Sequence, residues 1–463
     1  VIVYHSRLTD NRRADVYRRL IGGSGGRLVV GVRSSVLLPL PLLSLVIVDE
    51  EHENSFKQAD SAPRYHGRDT AVMLAALCGA KTLLGSATPS VESYFNAVTG
   101  KYGLVTLAER YGGAVLPRVI VSDTLRAAKR GEKRSHFNKV LLDRIGEALQ
   151  AGSQAILFQN RRGFSPYVEC GHCGWTANCP DCNVSLTYHK SDGSLRCHYC
   201  GYRIPVPAVC PSCGTGSLLP RGFGTEKIEQ ELAAIFPEAA IDRLDADTSQ
   251  SAGGYRRIVE AFEQGRTDIL IGTQIVTKGF DFGGVSLVGI LNADNLLNYP
   301  NFRAGERAFQ LMTQVGGRAG RRSEPGTVVI QTAQPQHPVI EQVLRGDYGA
   351  MVRSQLAERR AFFYPPYCRL IAVVMRHRDK ELLWRAAGAF AGSAREVFGR
   401  RLLGPEAPPV DRIRGRFLVR FLLKIERRSP SAEAKRLLQE LFGRLHARTE
   451  FRSVEVAADV DPM

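Results

Sequence analysis

Eight of the ten cysteines lie between Cys170 and Cys213, in four Cys-x-x-Cys pairs: Cys170/Cys173, Cys179/Cys182, Cys197/Cys200 and Cys210/Cys213. Two thiolates at this spacing can meet one tetrahedral Zn²⁺, and two such pairs complete a closed Cys₄ site, so two structural zinc ions are expected. Zinc catalysis, which needs an open coordination position, is not. Gly174, Asn183, Gly201 and Gly214 follow the second cysteine of each pair, and both residue types tolerate left-handed backbone. A disulfide scaffold would spread its cysteines through a small secreted chain; this cluster points to reduced thiols and a cytoplasmic setting. Cys78 and Cys368 stand apart and read as core thiols.

A second group of residues suits phosphoryl transfer. Val46-Ile47-Val48-Asp49-Glu50-Glu51-His52 places carboxylates just past an apolar strand, where open α/β sheets put their ligands. An Asp here can hold Mg²⁺, and the next Glu can polarise the attacking water. Gly85-Ser86-Ala87-Thr88-Pro89 follows another strand, with Ser86 and Thr88 able to bond to the acidic loop. Gly272-Thr273-Gln274 with Thr277-Lys278-Gly279 follows a third. Gln314-Val315-Gly316-Gly317-Arg318-Ala319-Gly320-Arg321 sets two guanidinium groups on one helical face, suited to charge on a γ-phosphoryl group. In this order the pieces resemble a superfamily 2 helicase. Phe56, Lys57, Arg64, Tyr65 and Arg68, after the acidic loop, interleave aromatics with bases and suit stacking on unpaired nucleotides.

The elements that must position these groups follow from periodicity. A helix is expected over residues 10–21, with Ala14, Tyr17 and Ile21 on one face. Further helices are expected over 68–78, 139–150 and 226–236. Apolar runs at 28–32, 42–48, 81–84, 155–158, 268–271, 285–291 and 327–331 read as strands, the first two covered on both faces. Alternating strand and helix signal parallel α/β architecture. Near Tyr364-Pro365-Pro366-Tyr367 the composition shifts, and 417–425 opens a strand-rich part. The expected units are 1–130, 131–365 with 167–216 inserted, and 366–463.

With 463 residues, three domains are the natural expectation. No apolar run is long enough for a membrane helix, and the opening residues lack signal-peptide character. The net charge of +16 favours a polyanionic partner, and Arg345–Met463 carry 24 basic against 14 acidic residues.

Together these features resemble the bacterial primosomal replication-restart helicase family PriA (primosomal protein N′). The resemblance also rests on Ser55-Phe56-Lys57-Gln58, Arg64-Tyr65-His66-Gly67-Arg68-Asp69, Asn160-Arg161-Arg162-Gly163-Phe164, Gly224-Thr225-Glu226 and the closing Asp459-Val460-Asp461-Pro462. It implies RecA-like helicase lobes, the first incomplete, with an inserted two-zinc cysteine-rich module and an α+β C-terminal domain. It further implies ATP with Mg²⁺, 3′→5′ unwinding of DNA, recognition of stalled or abandoned forks and primosome assembly. The implied partners are forked and single-stranded DNA, the single-strand DNA-binding protein, other primosome proteins and the replicative helicase loading system, with no membrane. Asp49, Glu50, Glu51, His52, Arg318 and Arg321 would be catalytic. Ser86, Thr88, Lys278, Gly279 and Gln314 would couple nucleotide to motion.

The phosphate-cradling Gly-x-x-x-x-Gly-Lys-[Ser/Thr] occurs nowhere in the 463 residues, so a C-terminal fragment inactive by itself is expected. Gly31-Val32-Arg33-Ser34-Ser35 also departs from the family at its second position, where Thr is usual. The competing reading is a non-catalytic zinc-stabilised DNA-binding scaffold recruiting replication proteins; a zinc-ribbon subunit of transcription machinery leaves the helicase motifs unexplained. The four cysteine pairs allow three groupings. A nested one is expected: Cys179, Cys182, Cys197 and Cys200 closed by their own hairpin, with Cys170, Cys173, Cys210 and Cys213 around it. The resemblance points the same way.

Overall fold

The computed structural model describes all residues except 7, 24–26, 60–61, 108, 110–115, 160–165, 190–191, 222–224, 245–251, 274–281, 321–324 and 463. The chain opens with β1 (Ile2–Tyr4), α1 (Asp10–Ile21), β2 (Val29–Gly31), β3 (Leu45–Val48), α2 (Gly67–Leu77), β4 (Lys81–Leu84) and α3 (Val91–Val98). Thr9 caps α1 by accepting from the Arg12 N–H, and Asp10 complements the positive end of the helix. Among the described residues these strands make two separate parallel pairs, β1 with β2 and β3 with β4. The expectation of strands covered on both faces does not hold here: Leu45 and Ile47 are 52% and 61% exposed. α1 likewise buries Leu20, while Tyr17 and Ile21 of the expected face are exposed.

The second unit is built around one six-stranded parallel sheet. Its elements are β5 (Arg118–Asp123), α4 (Lys139–Gln150), β6 (Gln154–Phe158), α5 (Thr225–Ile235), β7 (Ile241–Leu244), β8 (Ile269–Gly272), β9 (Val285–Ile290), α6 (Ala304–Gly316), β10 (Thr327–Thr332) and α7 (Tyr348–Ala361). The strand order is β7-β8-β6-β9-β10-β5. Ala155, Ile156, Leu157 and Phe158 of the central strand are all buried; Leu141 and Ile145 of α4 cover one face, Phe309 and Met312 of α6 the other. β5, which the expected division assigns to the first unit, pairs with β10 along its whole length.

Between β6 and α5 the chain forms the cysteine-rich module, a three-stranded antiparallel sheet (Thr187–His189, Ser194–Arg196, Arg203–Pro205) and a pair joining Tyr167–Cys170 to Leu218–Arg221. It packs closely on the second unit: a Cβ on Gly174, at φ +76°, would stand 2.6 Å from the Ala333 carbonyl oxygen. Tyr364 fastens the module to the C-terminal unit. Its hydroxyl donates to the Cys182 carbonyl at 2.9 Å, its ring stacks on Phe302, and Lys424 Nζ lies 3.9 Å from the ring centroid.

The C-terminal unit has β11 (Cys368–His377), α8 (Lys380–Phe398), β12 (Leu402–Glu406), β13 (Arg416–Glu426), α9 (Ser431–Ala447) and β14 (Glu455–Val460). The antiparallel order is β12-β13-β11-β14, and residues of α8 and α9 share one core with β11 and β13. Cys368 is buried as expected, but Cys78 is exposed.

Candidate nucleotide site and metal centres

The three carboxylates that follow β3 divide between two environments. Asp49 and Glu50 are exposed, and Glu50 takes a left-handed backbone (φ +48°) in which its N–H donates to Asp49 Oδ1 at 2.9 Å. Glu51 turns the other way and is buried. Its carboxylate accepts from the Ser90 N–H at 2.6 Å, Arg68 at 2.7 Å, the Ser93 hydroxyl at 2.9 Å and the Ser90 hydroxyl at 3.1 Å. Both oxygens of Glu51 thus have protein partners, and these tie the acidic loop to the start of α3.

His52 joins the first unit to the second. Gln314 Nε2 donates to His52 Nε2 at 2.9 Å, which places the ring proton on Nδ1, 2.7 Å from Ser86 Oγ. Ser86 Oγ also accepts from the Thr88 N–H at 3.0 Å, and Glu50 Oε2 lies 3.5 Å from the ring. The acidic loop, the Ser86–Thr88 turn and Gln314 thus share one network.

Gln314 is one of a row. Arg303, Glu306, Gln310, Gln314 and Arg318 recur every three or four residues: Glu306, Gln310 and Gln314 lie along one side of α6, Arg303 stands at its N-cap and Arg318 just past its end. Arg303 meets Glu92 at 2.5 Å, Glu306 accepts from the Val91 N–H at 2.8 Å, and Gln310 donates to the Thr88 carbonyl at 3.2 Å. Gln314 and Arg318 then line a cavity of about 520 Å³ with Asp49, Glu50, Arg33 and Phe56. At the far end of the row Arg359, 1% exposed, bonds to Glu306 at 2.6 Å and Glu92 at 3.3 Å. Burial would raise the Glu92 carboxyl, but Arg303, Arg359 and Arg68 bring it down to about 2. Sequence reasoning missed Arg303, Glu306 and Arg359; extending the Gln314 spacing backwards would have found the first two. Arg321, Lys278, Gly279, Gln274 and Thr277 lie outside the described residues, as do 160–164 and Gly224.

The aromatic-rich loop is a narrow return in which Lys57 bridges His66 and the Gln58 N–H donates to the Tyr65 carbonyl at 2.9 Å. Arg33, from the turn that departs from the family pattern, holds it: its guanidinium donates to the carbonyls of Ser55 and Lys57 and lies 6.0 Å from the Tyr65 ring. Phe56 faces the cavity beside Asp49 and Glu50. Two expected DNA contacts are committed elsewhere. Lys57 is buried against the C-terminal unit, and Arg68 is bound to Glu51, Asp69 and Ser90. Arg64 bonds within the loop, to the Ala59 carbonyl. Burial, reinforced by Arg68, lowers His66 to about 4, so it is neutral near pH 7.

The cysteines fold into four copies of one turn. In each, the residue after the second cysteine has positive φ and donates its N–H to the carbonyl of the first cysteine, at 2.8–3.0 Å. The turns are brought together in nested fashion: Cys170, Cys173, Cys210 and Cys213 in one group, Cys179, Cys182, Cys197 and Cys200 in the other. Sulfurs 3.7, 3.7 and 3.6 Å apart (Cys170–Cys213, Cys173–Cys210, Cys179–Cys200) match the edge of about 3.8 Å that a tetrahedron with Zn–S near 2.3 Å requires. Backbone N–H groups of His172, Tyr199 and Tyr202 point at ligand sulfurs, as thiolates require. Both groups have the chemistry and size of zinc sites.

Three family descriptions match the chain: "PriA DNA helicase Cys-rich region (CRR) domain" at residues 179–205, "Helicase conserved C-terminal domain" at 224–323 and "Primosomal protein N C-terminal domain" at 360–463. The replication restart protein PriA of Bacillus subtilis is 38% identical over 464 residues, covering 100% of this chain and 57% of the relative. That of Treponema pallidum is 40% identical over 466 residues, covering 100% of this chain and 68% of the relative. Among solved structures, RecG bound to a three-way DNA junction aligns at 15% identity with a TM-score of 0.41, over 77% of this chain and 35% of RecG. The chain spans little more than half the length of several curated relatives it matches. Among the described residues no helix is long and apolar enough to cross a membrane. The chain belongs to the PriA family of replication restart proteins.

Proposed function

We propose that these residues serve an ATP-driven 3′→5′ DNA helicase of the bacterial cytoplasm that recognises stalled or abandoned forks and directs primosome assembly. The observation that carries this is the row along and just past α6, which sets Gln314 and Arg318 of one unit against Asp49, Glu50 and His52 of the other. A nucleotide with Mg²⁺ supplies the transferable γ-phosphoryl group and the cation that offsets its charge. Asp49 is placed to hold that cation and Glu50 to orient a water. Arg318 stands across the cavity, where a guanidinium meets charge developing on phosphoryl oxygens. His52, fixed by Ser86 and Gln314, relays the state of the cavity to the second unit. The cysteine groups would each hold one structural Zn²⁺. Forked and single-stranded DNA, single-strand DNA-binding protein, primosome proteins and the helicase-loading system are the partners in this reading.

The 463 residues include no phosphate-cradling loop motif, so no DNA-stimulated hydrolysis is expected from them alone. Joined to an upstream segment that carries such a loop, they are expected to hydrolyse ATP and unwind a forked duplex. Asp49→Asn should abolish both without loss of zinc. Unwinding that survives Asp49→Asn would sink the assignment, and robust turnover by the 463 residues would show that a cradle exists elsewhere in them.

A further inference from the structure

We infer that Lys57 and Asp459 form an interdomain latch, through which the last strand of the C-terminal unit holds the aromatic-rich loop in one conformation. The two lie in segments singled out by sequence, one after the acidic motif and one in the closing Asp-Val-Asp-Pro, and neither pattern says that they meet. Lys57 Nζ donates to the Val460 carbonyl at 2.6 Å and to the Arg64 carbonyl at 3.0 Å, and lies 2.8 Å from Asp459 Oδ1. Two carbonyls accept from the ammonium and the Asp459 carboxylate stands beside it as counter-charge, with the lysine side chain 4% exposed.

The acceptors are available because β14 is an edge strand, paired among the described residues with β11 alone, and an edge strand keeps unpaired backbone groups on its outer side. Lys57 directly follows Phe56, the last residue of a 3-10 turn (Asn54–Phe56), so the two side chains leave adjacent positions of one short segment. The lysine reaches the C-terminal unit while Phe56 lines the cavity by Asp49 and Glu50. Fixing the first fixes the second. A cation so enclosed loses both water and counter-charge when its partner is removed, so the loop and β14 hold or release each other. Such coupling is reciprocal, since each segment must loosen by the same free energy when the other is freed.

The test is amide hydrogen exchange on the whole 463-residue chain, comparing wild type, Lys57→Met, Asp459→Asn and the double variant. It needs neither ATP nor DNA, so it stands apart from the helicase assignment. Either single substitution should raise exchange about tenfold in both segments, 54–66 and 455–460, though each lies in only one of them. The double variant should exchange like Lys57→Met alone. Unchanged protection of Ile371 and Val373 in β11 certifies the fold; should Lys57→Met lose it, the near-isosteric Asp459→Asn decides. Faster exchange confined to the substituted segment would overturn the latch.

Discussion

Leu45-Val46-Ile47-Val48 and Ala155-Ile156-Leu157-Phe158 are alike as sequences: four apolar residues leading to a turn at the carboxyl end of a parallel strand. In the structure they part company. β6 has hydrogen-bonded neighbours on both edges and helices over both faces, and each of its four residues is 1% exposed or less. Among the described residues β3 pairs with β4 alone, and α2 packs against it with Ala71 and Ala75 buried, yet Leu45 and Ile47 remain open. Burial is thus a property of what surrounds a strand, and an apolar run reports only that the strand could accept cover. The site draws on both regions: its carboxylates stand on the thinly supported strand, and its guanidinium and amide groups on a helix packed against the thickly supported sheet.

The largest expected effect tests how far the support of the second region depends on its insertion. Structural zinc contributes about 10–16 kcal/mol at sites of this kind, so chelation should melt the module while the six-stranded sheet keeps its protection from exchange. Metal analysis should give two zinc ions per chain, and one after Cys210→Ser with Cys213→Ser. A count of two or none in that variant would rule out independent nested sites. Next in size is the joint between the regions. Arg359→Met leaves Glu306 and Glu92 short of a buried partner and should cost about 3–5 kcal/mol in denaturant unfolding. A cost below about 1 kcal/mol would mean that the ion cluster is solvated.

The comparison itself is read by paired truncations. Leu157→Ala should cost about 2–5 kcal/mol, whereas Ile47→Ala should stay within about 0.5 kcal/mol. Equal costs would show that something covers β3 in solution. A smaller effect concerns acid. The folded pKa of Glu92, about 2, lies below its ordinary 4.5, so its contribution is complete above about pH 5 and is lost as pH falls from 4.5 toward 2. Glu92→Gln should flatten that part of the stability–pH curve; an unchanged slope would detach Glu92 from the joint. Smallest are the binding effects of Phe56→Ala and Tyr65→Ala. In a protein that carries the phosphate loop, each should leave DNA affinity within a few-fold while uncoupling ATP turnover from unwinding. Unwinding at the wild-type level by both would remove the coupling role.

Much of this was legible from the residues. Helix limits at Asp10–Ile21 and Lys139–Gln150 agree with the periodicity, because the pattern and its caps are local. The cysteine turns were readable because a Cys-x-x-Cys knuckle needs a left-handed residue at a fixed place. Glu51, Lys57 and Arg68 were not, for a physical reason: a charged residue after a strand is indistinguishable from a solvated one until its partner arrives. Those partners lie far along the chain, Ser90 for Glu51 and Val460 for Lys57. The openness of β3 was hidden for the same reason, since cover is supplied by other segments.

The pairing of β5 with β10 bears on how such a chain emerges from the ribosome. Arg118 finds its partner only when Thr327 has been made, and everything between them, including the cysteine-rich module, is synthesised first. The eight metal-ligand cysteines all lie between residues 170 and 213, so both sets are present in the growing chain while the sheet still lacks an edge. Pairings between distant segments form slowly because a long loop must close before they reward it. The second unit can therefore complete its sheet only after the whole insertion has been made, and until then β5 lacks the strand it pairs with.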